Sequence, residues 1–189
     1  METDKMFSYQ SFLLHPKKKV ADLENIAPGT FININDAKGI EKIAKYIGDF
    51  EIEGAIVLNY YNQSILTLQN WDYVDILWSH MANAVDKVLK EGEAICRFWG
   101  CPNEISFKEC GNSFIRLRTN WNDQRYLLPE KELFMTILYG TIDFFKKLSS
   151  PPWRFRSYAE SIAYYYDIMG RVKEKRELSA YRWDSIERI

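Results

Sequence analysis

The alternation of apolar and polar residues predicts two β-hairpins in the middle of the chain. Residues 53–60 and 65–68 are two apolar runs joined by a polar turn, which is typical of a hairpin. Residues 104–110 and 113–119 form a second pair, in which apolar side chains occupy every second position. This alternation is typical of an antiparallel sheet with one face in water.

A long amphipathic helix is predicted between the hairpins. Asn70 is a suitable N-cap, Asp72 and Asp75 would lie in the first turns, where negative charge favours the helix dipole, and Gly92 would end the helix. The apolar face recurs at helical spacing. Its members are Val74, Leu77, Trp78, Met81, Val85 and either Val88 or Leu89.

The last third of the chain predicts further helices. Pro129 fits the first position of a helix that runs to about residue 148, and Gly140 within it would permit close approach by another backbone. The Ser-Ser-Pro-Pro run at 149–152 predicts a break, followed by a helix over 157–178. A final short helix is predicted from Ser179 onwards.

The remaining segments are less regular. Residues 1–30 are poorly patterned, residues 31–34 predict a short strand, Asp36 can cap a helix over 38–47, and residues 94–98 predict another strand.

We therefore predict an α+β fold with one mainly antiparallel sheet of hairpins. A long helix follows the first hairpin, and two or more C-terminal helices pack on one face. Residues 1–189 would form a single domain, with 53–148 as its α+β core unit and 151–189 as a C-terminal helical extension.

Composition limits the function classes. Of 189 residues, 47% are hydrophobic and 15% aromatic, and the net charge is −1, so the positive field that nucleic-acid binding requires is missing. The sequence contains no apolar run of membrane-span length and no signal-peptide pattern near Met1. Three cysteines do not suggest a disulfide framework. We expect a cytoplasmic protein with no membrane partner.

No residue pattern predicts catalysis, and no metal or cofactor is expected. Cys96, Cys101 and Cys110 lack the second ligand pair of a zinc site. A Cys–His pair with His80 has no local support, and the chain has neither a P-loop nor a dinucleotide motif. The residues Asp72 and Asp75 could act as acid and base, although dipole partners are the stronger interpretation.

Two aromatic groups suggest contact surfaces. Trp99 and Trp121 fall in predicted loops, and with Arg118 and Asp123 they form our candidate partner-binding set, because Trp, Tyr and Arg dominate binding hot spots. Residues 153–156 interleave arginine with aromatic rings, a pattern that can bind single-stranded nucleic acid, but docking of the rings on the core is the preferred interpretation.

Residues 54–58, 71–78 and 102–107 resemble a pattern in a family of small bacterial proteins. In that family a hairpin leads into a helix that starts W-D-x-I-D-x-L-W, and a proline loop and a second hairpin follow. Where the family tends to have Phe-Pro-Asp, this chain has Phe-Trp-Gly-Cys at 98–101. The resemblance covers about residues 53–148. These proteins look similar to immunity proteins of bacterial toxin systems.

The leading hypothesis is a non-catalytic factor that binds another protein. Most concretely it would be a bacterial immunity or antitoxin-like protein that occludes a partner toxin. The alternatives are a hydrolase that uses Asp72, Asp75 or a cysteine, and a single-stranded nucleic-acid-binding module. No nucleic acid is expected as partner under the leading hypothesis, and the oligomeric state stays open.

Overall fold

The computed structural model describes residues 6–48, 50–153 and 157–186, with side chains as far as residue 175. It shows an α+β fold built from antiparallel sheets and helices, which confirms the predicted class. The predicted single sheet was wrong, because the two hairpins belong to different sheets.

Sheet A contains the first hairpin and has the strand order β2-β1-β3-β4, with β5 also paired to β3. Every pairing in it is antiparallel. Its strands are β1 (Phe7–Leu14), β2 (Phe31–Asn33), β3 (Glu53–Tyr60), β4 (Gln63–Leu66) and β5 (Asp72–Tyr73).

Sheet B contains the second hairpin and has the sequential order β6-β7-β8-β9, again antiparallel throughout. Its inner side chains are buried and its outer side chains are mostly exposed, as the alternation predicted. Its strands are β6 (Glu93–Arg97), β7 (Glu104–Glu109), β8 (Phe114–Thr119) and β9 (Arg125–Pro129).

The predicted long helix and the two main C-terminal helices are confirmed. The helices are α1 (Ala37–Ile43), α2 (Val74–Glu91), α3 (Glu130–Leu148) and α4 (Ala159–Ile186), and 3₁₀ turns cover Ala44–Tyr46 and Leu68–Asn70. Asp36 caps α1 by accepting a hydrogen bond from the Gly39 N–H, and Gly92 ends α2 in the left-handed conformation. The separate final helix predicted from Ser179 was wrong at the backbone level, because α4 continues through that position.

The start of α2 differs from the prediction. Asn70 does not cap this helix; its side chain accepts from the Thr67 N–H in a capping box around the preceding 3₁₀ turn. The residue Asp72 lies in β5, so only Asp75 is in the first helical turn. Two polar residues that were predicted to stabilise the start of α2, Asn70 and Asp72, therefore belong to the elements that precede this helix.

Besides β5, two further strands were missed, and the turn before β4 was predicted to end too late. The strand β1 lies in the segment that we considered poorly patterned, although Phe7 and Leu13 are buried on the same face of the strand. The strand β9 ends at Pro129, which is the N-cap of α3 and not its first helical residue. Tyr61 has a φ of 49°, which closes a two-residue turn and starts β4 at Gln63.

Trp78 connects the layers of the molecule. Its ring is fully buried, its indole N–H donates to the Ser11 hydroxyl of β1 at 3.0 Å, and it packs edge-on against Tyr9. A side-chain carbon at Gly140 of α3 would collide with this ring. The close neighbour of Gly140 is thus an indole ring and not the backbone that we predicted. One apolar core runs from β1 through α2 and α3 to the inner face of sheet B.

Candidate protein-binding site

Two loops meet at one end of sheet B. Because the strands are antiparallel, the end of β6, the start of β7, the end of β8 and the start of β9 lie side by side. We call residues 98–103, which join β6 to β7, the Trp99 loop, and residues 120–124, which join β8 to β9, the Trp121 loop. All four predicted partner-binding residues lie in these loops or at the adjoining strand end.

Trp99 is an exposed ring on a fixed backbone. Its side chain is 62% exposed, whereas the Asp72 carboxylate beneath the loop belongs to a residue only 4% exposed. The Trp99 N–H donates to Asp72 Oδ2 at 2.5 Å, and the Gly100 N–H donates to Asp72 Oδ1 at 2.7 Å. Hydrogen bonds to a charged, buried acceptor are among the stronger ones in proteins, so this loop is held in one conformation.

Gly100 is required by this close approach. A side-chain carbon at this position would lie 2.7 Å from Asp72 Oδ1, well inside contact distance. Because Asp72 belongs to β5, a residue of sheet A orders a loop of sheet B. The sequence did not predict this role for Asp72, although a glycine directly after a loop tryptophan was a signal of close backbone approach.

The Trp121 loop is tied to its neighbour. The Trp121 ring is half-buried and packs edge-on against Phe98, with ring centroids 5.7 Å apart. The Asn120 side chain accepts from the Glu104 N–H at 2.8 Å and donates to the Pro102 carbonyl at 2.9 Å. The two loops therefore form one continuous ordered surface.

Arg118 and Asp123 form an ion pair beside this surface. Arg118 Nε donates to Asp123 Oδ1 at 2.6 Å, and Arg125 lies 3.7 Å from the other carboxylate oxygen. The hydrogen bond from Arg118 lowers the pKa of Asp123 below its ordinary value. Asp123 has a φ of 50° in this turn, and its carboxylate contacts both guanidinium groups. Sequence reasoning did not include Arg125 in the candidate set.

The cysteines occupy three different environments. Cys96 is buried, and burial with the nearby Asp72 charge raises the pKa of its thiol to about 12. Burial also raises the pKa of Cys101, while Cys110 is exposed. Since the thiolate is the nucleophilic form, both shifts disfavour nucleophilic chemistry at Cys96 and Cys101.

Asp75 and His80 line a cavity of about 470 Å³ together with Ser79. The Asp75 carboxylate accepts the Ile52 N–H at 3.0 Å, and burial raises its pKa. Ser79 donates to the Asp75 main-chain carbonyl, and His80 Nδ1 lies 2.8 Å from the Arg97 carbonyl. Each group is thus engaged with main chain, and the described residues contain no serine–histidine hydrogen bond here.

The nucleic-acid candidate lies partly outside the described residues. Trp153 is buried, while Arg154, Phe155 and Arg156 are not among the residues that the structure describes. In the following tyrosine run, Tyr165 is buried and its two neighbours are exposed.

Within the described ranges, no cluster of three or more His, Cys, Asp or Glu side chains is arranged to hold a metal ion. None of the helices in that same part of the chain combines the length and apolarity that a membrane span requires. Comparisons with protein-family models, curated proteins and solved structures gave no match.

Proposed function

We propose that this protein is a non-catalytic binding factor that recognises another protein through the Trp99 and Trp121 loops. The observation that carries the proposal is the 62% exposed Trp99 ring on a backbone fixed by a buried carboxylate. An exposed tryptophan has apolar area to bury on a partner, and a pre-ordered loop lowers the entropy lost on binding.

The surroundings of Trp99 suit an interface. The half-buried Trp121 ring and the Arg118–Asp123 pair lie at the same end of sheet B, so an aromatic centre adjoins a polar rim. Interfaces commonly have this arrangement, with aromatic and arginine residues contributing most of the binding energy.

More specifically, we propose a cytoplasmic bacterial immunity or antitoxin-like factor that covers the active surface of a toxin. This finer proposal is supported by the resemblance of residues 53–148 to proteins that look similar to immunity proteins. Occlusion needs a rigid, complementary surface and no chemistry of its own, and the fixed loops supply such a surface.

The test is affinity purification of the tagged protein from its native host, followed by calorimetry with the purified partner. A near-stoichiometric protein partner should bind, and Trp99→Ala should weaken binding by about 30-fold or more, the loss typical of a hot spot. Tyr61→Ala, which removes an exposed ring at the β3–β4 turn, is the matched control and should change affinity less than about twofold.

Two results would refute the proposal. One is that no protein co-purifies at comparable amounts. The other is that the partner binds the Trp99→Ala protein as tightly as the wild type. The immunity assignment further requires that the partner be toxic when expressed without this protein.

A further inference from the structure

The outer face of sheet B is a basic groove in a protein of net charge −1. A cavity of about 570 Å³ runs over this face and reaches the exposed side of α2. Its lining contains two acidic side chains, Glu91 and Glu93. The same lining contains six basic side chains: Lys87, Arg97, Lys108, Arg116, Arg118 and Arg125.

Strand register places like charges directly opposite each other in this groove. Lys108 is the cross-strand partner of Arg116, and Arg118 is the partner of Arg125. Opposed like charges on one face of a sheet are unfavourable. Asp123 contacts both members of the Arg118–Arg125 pair, and Glu93 contacts Lys108. Among the described residues, Arg116 has no ion-pair partner. A bound anion would relieve this repulsion.

The apolar side chains of the groove are aliphatic. Ile95 of β6 lines the groove and is 49% exposed. Leu127 of β9 is 59% exposed and lies beside the groove, as the cross-strand partner of Arg116 on the same outer face of the sheet. The aromatic residue of the lining, Phe107, has a buried ring, and the exposed ring of Phe114 lies at the far end of β8, outside the groove. Single-stranded nucleic acid is held by stacking on exposed rings, which this lining does not offer.

We infer that the groove binds an acidic segment of a partner protein, in which carboxylates alternate with aliphatic side chains. Its carboxylates would pair with Arg116, Arg118 and Arg125, since guanidinium groups bind carboxylates with two parallel hydrogen bonds. Its aliphatic side chains would contact Ile95 and Leu127. This inference rests on the proposed function and adds to it the chemistry of the partner.

Fluorescence anisotropy with defined probes tests the inference. The probes are a labelled short peptide in which Glu and Leu alternate, its Gln-for-Glu counterpart, and a labelled single-stranded oligothymidylate. The Glu peptide should bind most tightly, and its affinity should fall as salt is raised. Arg116→Gln/Arg125→Gln should weaken it roughly tenfold. The control Lys38→Gln/Lys42→Gln, on the exposed surface of α1, removes the same charge and should change affinity less than about twofold.

Thermal unfolding separates recognition from folding. The double arginine variant should melt no lower than the wild type, because each substitution removes one member of an opposed like-charge pair. The inference is overturned if the Glu peptide does not bind, if it binds both double variants equally, or if oligothymidylate binds more tightly than the peptide.

The natural partner distinguishes the two proposals. A partner that requires Trp99 but binds the double arginine variant normally would overturn the groove assignment and support the proposed function. Selective binding of the Glu peptide, together with the lack of any co-purifying protein, would support the groove and refute the proposed function.

Discussion

Asp72 shows how one side chain can decide the shape of a distant surface. It is nearly inaccessible to water, and its two oxygens accept two successive N–H groups of the Trp99 loop. The alternative interpretation, an acid–base pair of Asp72 with Asp75, has less support in the geometry, since both carboxylates are engaged with main-chain donors. Asp72 therefore orders the chain around the candidate binding residue.

Replacing Asp72 by Asn should destabilise the protein by about 1–3 kcal/mol. The amide has one acceptor oxygen, so one loop N–H would face an NH₂ group, and both charge-assisted bonds are lost. Urea unfolding at neutral pH measures the loss. Asp143→Asn, which alters a part-exposed i,i+4 pair with Lys147, is the control and should cost less than about 1 kcal/mol. Equal stabilities of the two variants would contradict the proposed role.

The protonation of Asp75 should make stability depend on pH in an unusual direction. Burial raises its pKa in the folded protein. Between the ordinary and the raised pKa, the folded state therefore binds more protons than the unfolded state, and stability falls as pH rises through that window. Asn does not titrate, so the variant lacks this pH-dependent loss of stability. The free energy of unfolding of Asp75→Asn, minus that of the wild type, should therefore increase with pH.

Asp123 supplies the opposite control for that measurement. Arg118 lowers its pKa, so its contribution to stability is present above the ordinary carboxyl pKa and disappears as pH falls through the lowered one. The difference between Asp123→Asn and the wild type should therefore be most negative at neutral pH and vanish in acid. Matching trends for Asp75→Asn and Asp123→Asn would disprove the assignment at Asp75.

The residue types of the candidate site could be proposed from the sequence, but their long-range partners could not. Trp99 and Trp121 were recognisable because large rings in predicted loops are unusual. The support from Asp72 was not, because it lies 27 positions before Trp99 and in the other sheet. The local sequence pattern does not identify which distant carboxylate accepts a hydrogen bond from a loop N–H.

At the scale of elements, α4 packs on the body of the protein through an apolar stripe and through several polar contacts, two of which are ion pairs with buried carboxylates. Tyr165, Ile168 and Met169 are buried against the core. Arg171 contacts Asp86 of α2 at 2.6 Å, and Lys175 contacts Glu130 at 2.9 Å. Polar contacts of this kind fix the orientation of the helix, which apolar packing alone does not determine.

Removing Arg171 should loosen this helix. Burial alone would raise the pKa of Asp86, but Lys90, Arg171 and Tyr164 together lower it, so its charge depends on these partners. Arg171→Ala should cost about 1–3 kcal/mol in urea unfolding. It should cost clearly less in an Asp86→Asn background.

Lys87→Ala controls for general charge loss on α2, since its pair with Glu91 is mostly exposed, and it should cost less than about 1 kcal/mol. Additive effects of Arg171→Ala and Asp86→Asn would show that the contact contributes nothing.

Periodicity predicted the elements whose apolar residues all face one core. The helix α2 and the β7–β8 hairpin are of this kind, since every predicted inward residue in them is buried. The strand β1 was missed because Ser11, a polar residue, occupies a buried position and receives the Trp78 indole N–H. A buried polar residue satisfied by a distant donor interrupts the apolar alternation that identifies a strand.

For the molecule as a whole, the division into two sheets could not be predicted because it depends on non-local pairing. The strand β1 pairs with β3 across about 40 residues, and both sheets share the core around α2 and α3. Hairpin signals identify neighbouring strands but do not state which hairpins join.

This shared core predicts one cooperative unfolding transition. Urea curves from far-UV circular dichroism and from the fluorescence of the six tryptophans should coincide, because the buried Trp78 lies in the shared core and circular dichroism reports both sheets and the helices. Two separated transitions would show instead that the sheets unfold independently, and the expected single domain over residues 1–189 would be wrong.

The hydrogen bonds that the Asp72 carboxylate accepts from the Trp99 loop come from main-chain N–H groups. The conformation that Asp72 gives this loop therefore does not depend on the side chain at position 99. Under the proposed function, exchange of that ring would change the partner while the loop keeps its conformation, whereas loss of Asp72 or Gly100 would disturb the loop whatever residue occupies position 99.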